Sequence, residues 1–296
     1  MRSSAASDVY KRQQVYDAEF RRWHDVTWKY NSATAGSRWS LTRSFVNTYL
    51  MRDGSRFTDK AGYETMTFPQ EVKDRDCRLK QTIRTPGYKR ISKDKEITVL
   101  PDFTITLSGY HMMKWSLDDT FYDGQAEATN AMPIFRYAEI LLIYAEATFE
   151  LQGKKLTQTQ IDYSINRLRD RVNMHRMNLD ELSAWGMDLE TELRRERRIE
   201  LAGEGTRYAD VMRWREGELR FGRAITGPSL KVCMNDLGAN PYPDTGVDEF
   251  GDVIYEKSTA EGGARYFDAT KHYLWPVPNP ERQKNPLLGQ NPGWEK

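Results

Sequence analysis

The sequence predicts a mainly α-helical protein with tetratricopeptide-like helix pairs, long irregular loops and a small β element. Three observations carry this reading: two consecutive helical runs between Pro133 and Val172, two further helical runs over 188–201 and 206–216, and a proline-studded C-terminus.

Taken in order, the opening MRSSAASDVYKRQ is polar and lacks the apolar core of a secretory signal. Residues 1–13 are therefore read as a non-native or disordered leader, and residues 14–296 as the folded domain. SLTRSFVNTYLMRDG (40–54) sets Leu41, Phe45 and Tyr49 at helical spacing, with Asp53-Gly54 as its stop. From 61 to 125 the pattern is broken by Pro69, Pro86-Gly87 and Pro101, so only short strands are expected, at Ile97–Leu100 and Phe103–Leu107. Pro133 suits a first helical turn, IFRYAEILLIYAEATFEL continues it, and Gly153 is placed to end it. Thr157 and Gln160 then have capping-box spacing, and Ile161, Ile165, Leu168 and Val172 form one apolar stripe. The pair has the size of one tetratricopeptide-type repeat. A further helix is expected over Asp188–Leu201 and another over Thr206–Glu216, with Gly203 and Gly205 between them. A Gly-, Asp- and Pro-rich stretch at 226–270 reads as a loop-rich insertion. The ending, Leu274 to Trp294, holds five prolines among aromatic and leucine residues. It is expected to run as an extended strap clamped to the Ile134–Val172 hairpin.

Composition narrows the function classes. Basic and acidic residues number 44 and 43, so no net field recommends nucleic acid or an anionic membrane surface as partner. No apolar run is long enough to span a bilayer as a helix. The cysteines Cys77 and Cys233 are far apart, and two thiols do not fix a redox compartment. His24, His111, His175 and His272 lie on separate segments without ligand spacing, and there is no HExxH, nucleophile elbow or phosphate loop. No metal or cofactor is called for. The acidic loop with Asp244, Asp248, Glu249 and Asp252 lacks the alternation of a dedicated calcium loop and reads as a solvated surface.

Glu190, Glu192, Glu196 and Glu200 alternate with Arg194, Arg195, Arg197 and Arg198. A carboxylate pair for glycoside hydrolysis must flank its substrate, whereas carboxylates on one helix point side by side. The run therefore reads as an Arg–Glu lattice joining helices, without catalysis.

Three segments together resemble the SusD/RagB family of outer-membrane nutrient-binding lipoproteins: FRYAEILLIYAEATFEL, LRRERRIELAGEGTRYADVMRW (193–214) and YLWPVPNPERQKNPLLGQNPGW. RDGS (52–55), KDRDCRL (73–79) and SGYHMMKW (108–115) echo it upstream, with Cys77 where the family usually has proline. The resemblance implies the C-terminal part of a longer, non-catalytic protein that captures a glycan or other oligomeric nutrient at the cell surface. It further implies delivery to a SusC-like TonB-dependent transporter, and a lipid anchor in an upstream part. A helical scaffold binding a peptide or a protein is the alternative.

Sugars lay apolar C–H faces on flat rings while polar neighbours bind their hydroxyls. Trp28 and Tyr30, beside Lys29 and Asn31, are the first candidate ligand-binding residues. Trp23, Trp39 and Trp115 follow, because each sits in polar or loop-like surroundings. Trp214, Trp275 and Trp294 are assigned to structure.

Overall fold

The computed structural model describes residues 11–35, 37, 39–102, 105–106, 108–222, 226–229, 252–254 and 265–295. In chain order the elements are β1 (Lys11–Gln14), α1 (Val26–Asn31), α2 (Arg43–Val46), α3 (Phe68–Glu71), α4 (Leu79–Thr82), β2 (Lys89–Ser92) and β3 (Lys95–Thr98). They continue with β4 (Met132–Arg136), α5 (Tyr137–Leu151), α6 (Gln158–Tyr163), α7 (Ile165–Arg171), α8 (Leu179–Ala184) and α9 (Leu189–Glu200). The last are α10 (Arg207–Arg213), α11 (Gly217–Phe221), β5 (Thr226–Ser229), β6 (Asp252–Ile254) and α12 (Asn279–Lys284). Helices dominate, and the described strands form antiparallel pairs, β1 with β4, β2 with β3 and β5 with β6.

The predicted helix pair forms, with two changes. Its first helix starts at Tyr137, not at Pro133, because Met132–Arg136 pairs with Lys11–Gln14 as a strand. Pro133 has no N–H to give the ladder, and a register shift at Arg12/Gln13 lies beside it; an edge pairing of this kind tolerates proline. The pairing also brings Lys11–Gln13 into the fold, three residues inside the segment read as a leader. The second helix is broken at Ser164, whose Oγ donates to the Gln160 carbonyl at 2.6 Å and competes with the helical ladder. The capping box at Thr157 and Gln160 is present, and Ile161, Ile165 and Leu168 are buried as the stripe requires.

Helix α5 packs against both α7 and α9. The main core gathers Ala138, Leu141, Leu142, Ala145 and Phe149 of α5 with Ile165, Leu168 and Leu193. The cavity left between α5, Ile165 and α9 is about 10 Å³, at the lower limit for one water, so the helices are close-packed. A second core joins Val46, Tyr49, Phe68, Leu79, Ile83 and Tyr110 to Ile199, which places α9 between the two. Upstream, the expected helix over 40–54 shrinks to Arg43–Val46, capped by the Thr42 hydroxyl, with turns delivering Tyr49 and Leu50 to the interior. The strand expected at Ile97–Leu100 is realised as Lys95–Thr98. At Phe103–Leu107 the described residues Ile105 and Thr106 instead turn back on Asp102.

Helix α9 starts where predicted, Asp188 accepting from the Thr191 amide at 2.8 Å, and chain reversal follows through Gly203 at φ +73° and Gly205 at φ +81°. It buries Glu192, Glu196 and Glu200 alongside Leu193 and Ile199. The lattice reading is realised, with Glu196 and Glu200 buried at its centre. Glu196 receives Arg78 at 2.5 Å and Arg169 at 2.9 Å. Glu200 receives Arg78 at 2.9 Å, Arg171 at 2.7 Å and Arg136. Asp76 holds Arg78 at 2.7 Å, and Glu204 holds Arg136 at 2.8 Å and Lys114 at 2.6 Å. Burial alone would raise the Glu200 carboxyl; Arg136, Arg78 and Arg171 outweigh it and hold that carboxyl far below the usual range. Glu71, buried beside the Tyr110 hydroxyl, goes the other way, because desolvation outweighs Arg43 and Arg75.

The C-terminal segment differs from the expected strap. Asn279–Lys284 forms a helical turn with a proline in its first positions, and Leu287 is 94 % exposed. Its described contacts run to its own upstream turn and to α10, not to the α5–α7 pair. Trp294 Nε1 donates to the Lys271 and Leu274 carbonyls at 3.1 and 3.0 Å, Asn291 Nδ2 donates to the Trp275 carbonyl at 2.6 Å, and Trp275 faces Tyr208 at 6.1 Å. The upstream turn docks on α11: the Gly217 amide donates to the Tyr273 hydroxyl at 3.0 Å, and Phe267 stacks on Phe221 at 5.7 Å. A Cβ at Gly217 would lie 2.2 Å from the Phe267 ring. Of the expected insertion, β5 and β6 are described as a strand pair; Asp244, Asp248, Glu249 and Cys233 lie outside the described residues.

Two outcomes follow. Glu200→Gln leaves Arg78, Arg136 and Arg171 undercompensated, and urea unfolding at pH 7 is expected to show a loss of about 3–5 kcal/mol. The Glu200 contribution is present above the unfolded carboxyl pKa of about 4.3 and fades as pH falls below it. Wild type therefore loses more stability between pH 7 and pH 3 than the variant does; parallel profiles would refute this assignment. Gly217→Ala is expected to cost about 1–3 kcal/mol by displacing Phe267. It should also speed proteolytic cleavage within 265–295, read by mass spectrometry of the fragments.

Candidate functional site

Helix α1 and the segment from Ser108 to Asn130 form one frame, and all five aromatic candidates lie on it or beside it. The frame is made by polar bonds between parts of the sequence that share no local pattern. His24 and Ala128 exchange backbone bonds at 3.0 and 3.1 Å. The His24 ring contacts Asn130 Oδ1 at 3.0 Å, and Asn130 Nδ2 donates to the Trp115 carbonyl at 2.9 Å. One helical turn on, the Leu117 amide donates to the buried Thr27 hydroxyl at 2.9 Å. Asn31 Nδ2 donates to the Thr27 carbonyl at 2.9 Å and its Oδ1 receives Arg84. His111 Nε2 donates to the Tyr30 carbonyl at 2.6 Å, which fixes that proton on Nε2. Burial, with Arg84 beside it, pushes the His111 pKa down to about 3, so the ring is neutral at physiological pH.

The candidates divide by exposure. Trp39 is 51 % exposed and Trp23 37 % exposed. Trp28 and Trp115 are half-buried. Tyr30, a first choice on sequence, is 8 % exposed, and burial raises its hydroxyl to about 12. Its ring centroid sits 6.0 Å from that of Trp39 at 59°, and most of its surface is inside the fold. The correction has a simple cause. On a six-residue helix, Thr27, Tyr30 and Asn31 share the inward face, so Trp28 and Lys29 are left to the outer one. Trp115 holds φ +70°, a left-handed conformation that costs a non-glycine residue energy and persists because its surroundings fix it. Lys114 Nζ lies 5.4 Å over its ring and bonds the Glu200 carbonyl at 3.0 Å, which ties the frame to the lattice. Accessible polar groups flank the rings: Lys29 and Asp25 pair at 2.8 Å, each about two-fifths exposed. Thr27, Arg84, His111 and Asn130 were not singled out as a group by sequence. They are scattered over a hundred positions, and no spacing links them.

A larger open groove, about 360 Å³, runs along α5 between Glu146, Glu150, Arg197 and Arg213. Its charges are already matched, since Arg213 pairs with Glu146 and Asp210 and Arg197 with Asp210. The lining of Ile143, Ala147 and those four charged residues offers no aromatic wall. The carboxylates of α9 are likewise committed to arginines, as described above. Cys77 is half-buried and forms no disulfide with any described residue.

Comparison with known proteins agrees with this architecture. The SusD family profile matches residues 5–294. The SusD-like protein P2 of Formosa agariphila is 34 % identical over 182 residues, 58 % of this chain and 27 % of that protein. A SusD-like carbohydrate-binding protein of Bacteroides fragilis superposes with TM-score 0.68 at 27 % identity, covering 93 % of this chain and 53 % of the other. A second SusD-like protein of that organism shares the fold at TM-score 0.62 and 21 % identity, covering 96 % and 53 %. The chain thus spans about half the length of the solved relatives it matches. A profile match over nearly the whole chain, together with the helix pair, α9 and the C-terminal turn, makes this chain a member of the SusD family.

Proposed function

We propose that the chain captures an oligosaccharide, without catalysis, on the face built around α1. The observation that carries this reading is the pair of exposed rings, Trp23 and Trp39, set on a frame held by hydrogen bonds between distant segments. A rigid ring presents its face without loss of side-chain freedom, and the adjacent Lys29, Asp25 and Asn130 are of the type that binds hydroxyls. The carbohydrate-binding relative of Bacteroides fragilis, similar over 93 % of this chain, supports the same ligand class. Trp28 and Trp115 form the inner part of the face, and Tyr30 acts through Trp39. The bound glycan is held for transfer to a SusC-like TonB-dependent transporter at the cell-surface side of the outer membrane. Attachment there is through a lipid carried by an upstream part of the protein. The non-catalytic reading is supported by the carboxylates of α9, which sit inside ion pairs on one helix instead of facing each other across a substrate.

Isothermal titration with a panel of oligosaccharides tests this. Trp23→Ala with Trp39→Ala is expected to weaken the binding found with wild type by roughly 1 kcal/mol per ring, with little change in melting temperature. Tyr30→Ala is expected instead to cost about 3 kcal/mol in stability. Undiminished affinity in the double variant would remove the α1 face from consideration. Binding of peptides and of no glycan would move the reading to a peptide or protein scaffold.

A further inference from the structure

Helix α9 turns its carboxylates into the lattice, but the face bearing Arg194, Arg195 and Arg198 looks toward α2, α10 and α11. There positive charge exceeds what its carboxylates can match. Glu216 is shared by Arg194 at 2.8 Å, Arg220 at 2.7 Å and Arg207 at 4.0 Å. Arg195 is occupied by Glu192 at 3.0 Å and by the Thr48 carbonyl at 3.1 Å. Among the described residues Arg198 has no carboxylate partner. Its Nε is sealed from solvent with no hydrogen-bond partner, and its guanidinium lies 5.1 Å over the Phe45 ring. Every other orphaned guanidinium nitrogen on α9 belongs to an arginine that is otherwise ion-paired, as Arg197 is with Asp210.

We infer that Arg198, flanked by Arg207 and Arg220, is an oxyanion-binding site that takes a carboxylate or sulfate group. A sheltered cation without a counter-ion is unfavourable, and folded proteins rarely leave one unmatched. Desolvation, then repulsion from Arg207, Arg220 and Arg195, lowers the Arg198 pKa to about 9, so the group stays charged at neutral pH. Arg207 is lowered for the same two reasons, desolvation first and Arg220 next. The planar guanidinium fork matches a carboxylate or sulfate through paired hydrogen bonds, and lysine would not. Arg207 and Arg220 each keep about one-third of their side-chain surface in solvent. The Phe45 ring lies against one side of the guanidinium. The site is independent of the α1 face and of the glycan reading. The anion comes either from solution or as the acidic group of a sugar.

Calorimetric titration of the full chain at constant ionic strength separates these cases, using sodium sulfate, sodium glucuronate, glucose and sodium chloride. Sulfate and glucuronate are expected to bind wild type, with glucose and chloride silent. Arg198→Gln should weaken both anions by about tenfold or more, the usual worth of a charge-assisted hydrogen bond. Arg207→Gln, at a half-exposed position that keeps the fold, should weaken them less, and Lys93→Gln on an exposed turn should leave them unchanged. Tighter glucuronate than sulfate assigns the site to an acidic sugar; equal affinities assign it to any small oxyanion. Sulfate binding that is unaltered in both arginine variants, or no anion binding above chloride, would overturn the inference. Failure of neutral oligosaccharides to bind leaves this site standing and removes only the α1 proposal.

Discussion

The arrangement rests on three glutamates of one helix that point into the protein instead of out of it. A helix with Glu192, Glu196 and Glu200 on its buried side is unfavourable unless each carboxylate is met by a guanidinium in good geometry. Arg195 of the same helix meets Glu192, while Glu196 and Glu200 recruit Arg78 from the turn before α4, Arg136 from the end of β4, and Arg169 and Arg171 from α7. The partners come from three separate stretches of chain, so satisfying the charges fixes how the stretches meet. Hydrophobic contacts among Leu, Ile and Phe tolerate small slides, whereas a paired carboxylate does not. The lattice thus specifies an arrangement more than it supplies net stability.

The lattice also reaches the candidate binding face. Lys114 joins the Glu200 carbonyl and Glu204 on one side and covers Trp115 on the other. Trp115 in turn holds Asn130 through its carbonyl, and Asn130 contacts His24 at the start of α1. Rings presented on such a frame are preorganised, which lowers the ordering cost of binding. Belonging to the SusD family and resembling a carbohydrate-binding relative accord with a surface of this kind.

On another face the same helix carries Arg198, an arginine that the lattice does not use. The contrast between Glu200, which meets three guanidinium groups, and Arg198, which meets no carboxylate among the described residues, divides one helix between two physical roles. One side is satisfied by the protein alone. The other is left for an anion.

Local signals determined much of this protein from sequence alone. Capping at Thr157 and Asp188, the stripe of Ile161, Ile165 and Leu168, and the glycines after α9 all act within a few residues, and each was legible. The alternation of Glu and Arg on α9 also announced a lattice, since charges at that density need partners. Tertiary contacts decided what local pattern could not. Pro133 became part of a strand because Lys11–Gln14 pairs beside it, and Tyr30 turned inward because His111, eighty-one positions away, anchors its carbonyl. The C-terminal turn folded onto Asp268–Leu274 and Tyr208 because Trp294 and Asn291 found carbonyls there. Helix ends and stripes are short-range and additive, whereas which ring is exposed depends on bonds between segments whose separation leaves no periodic trace.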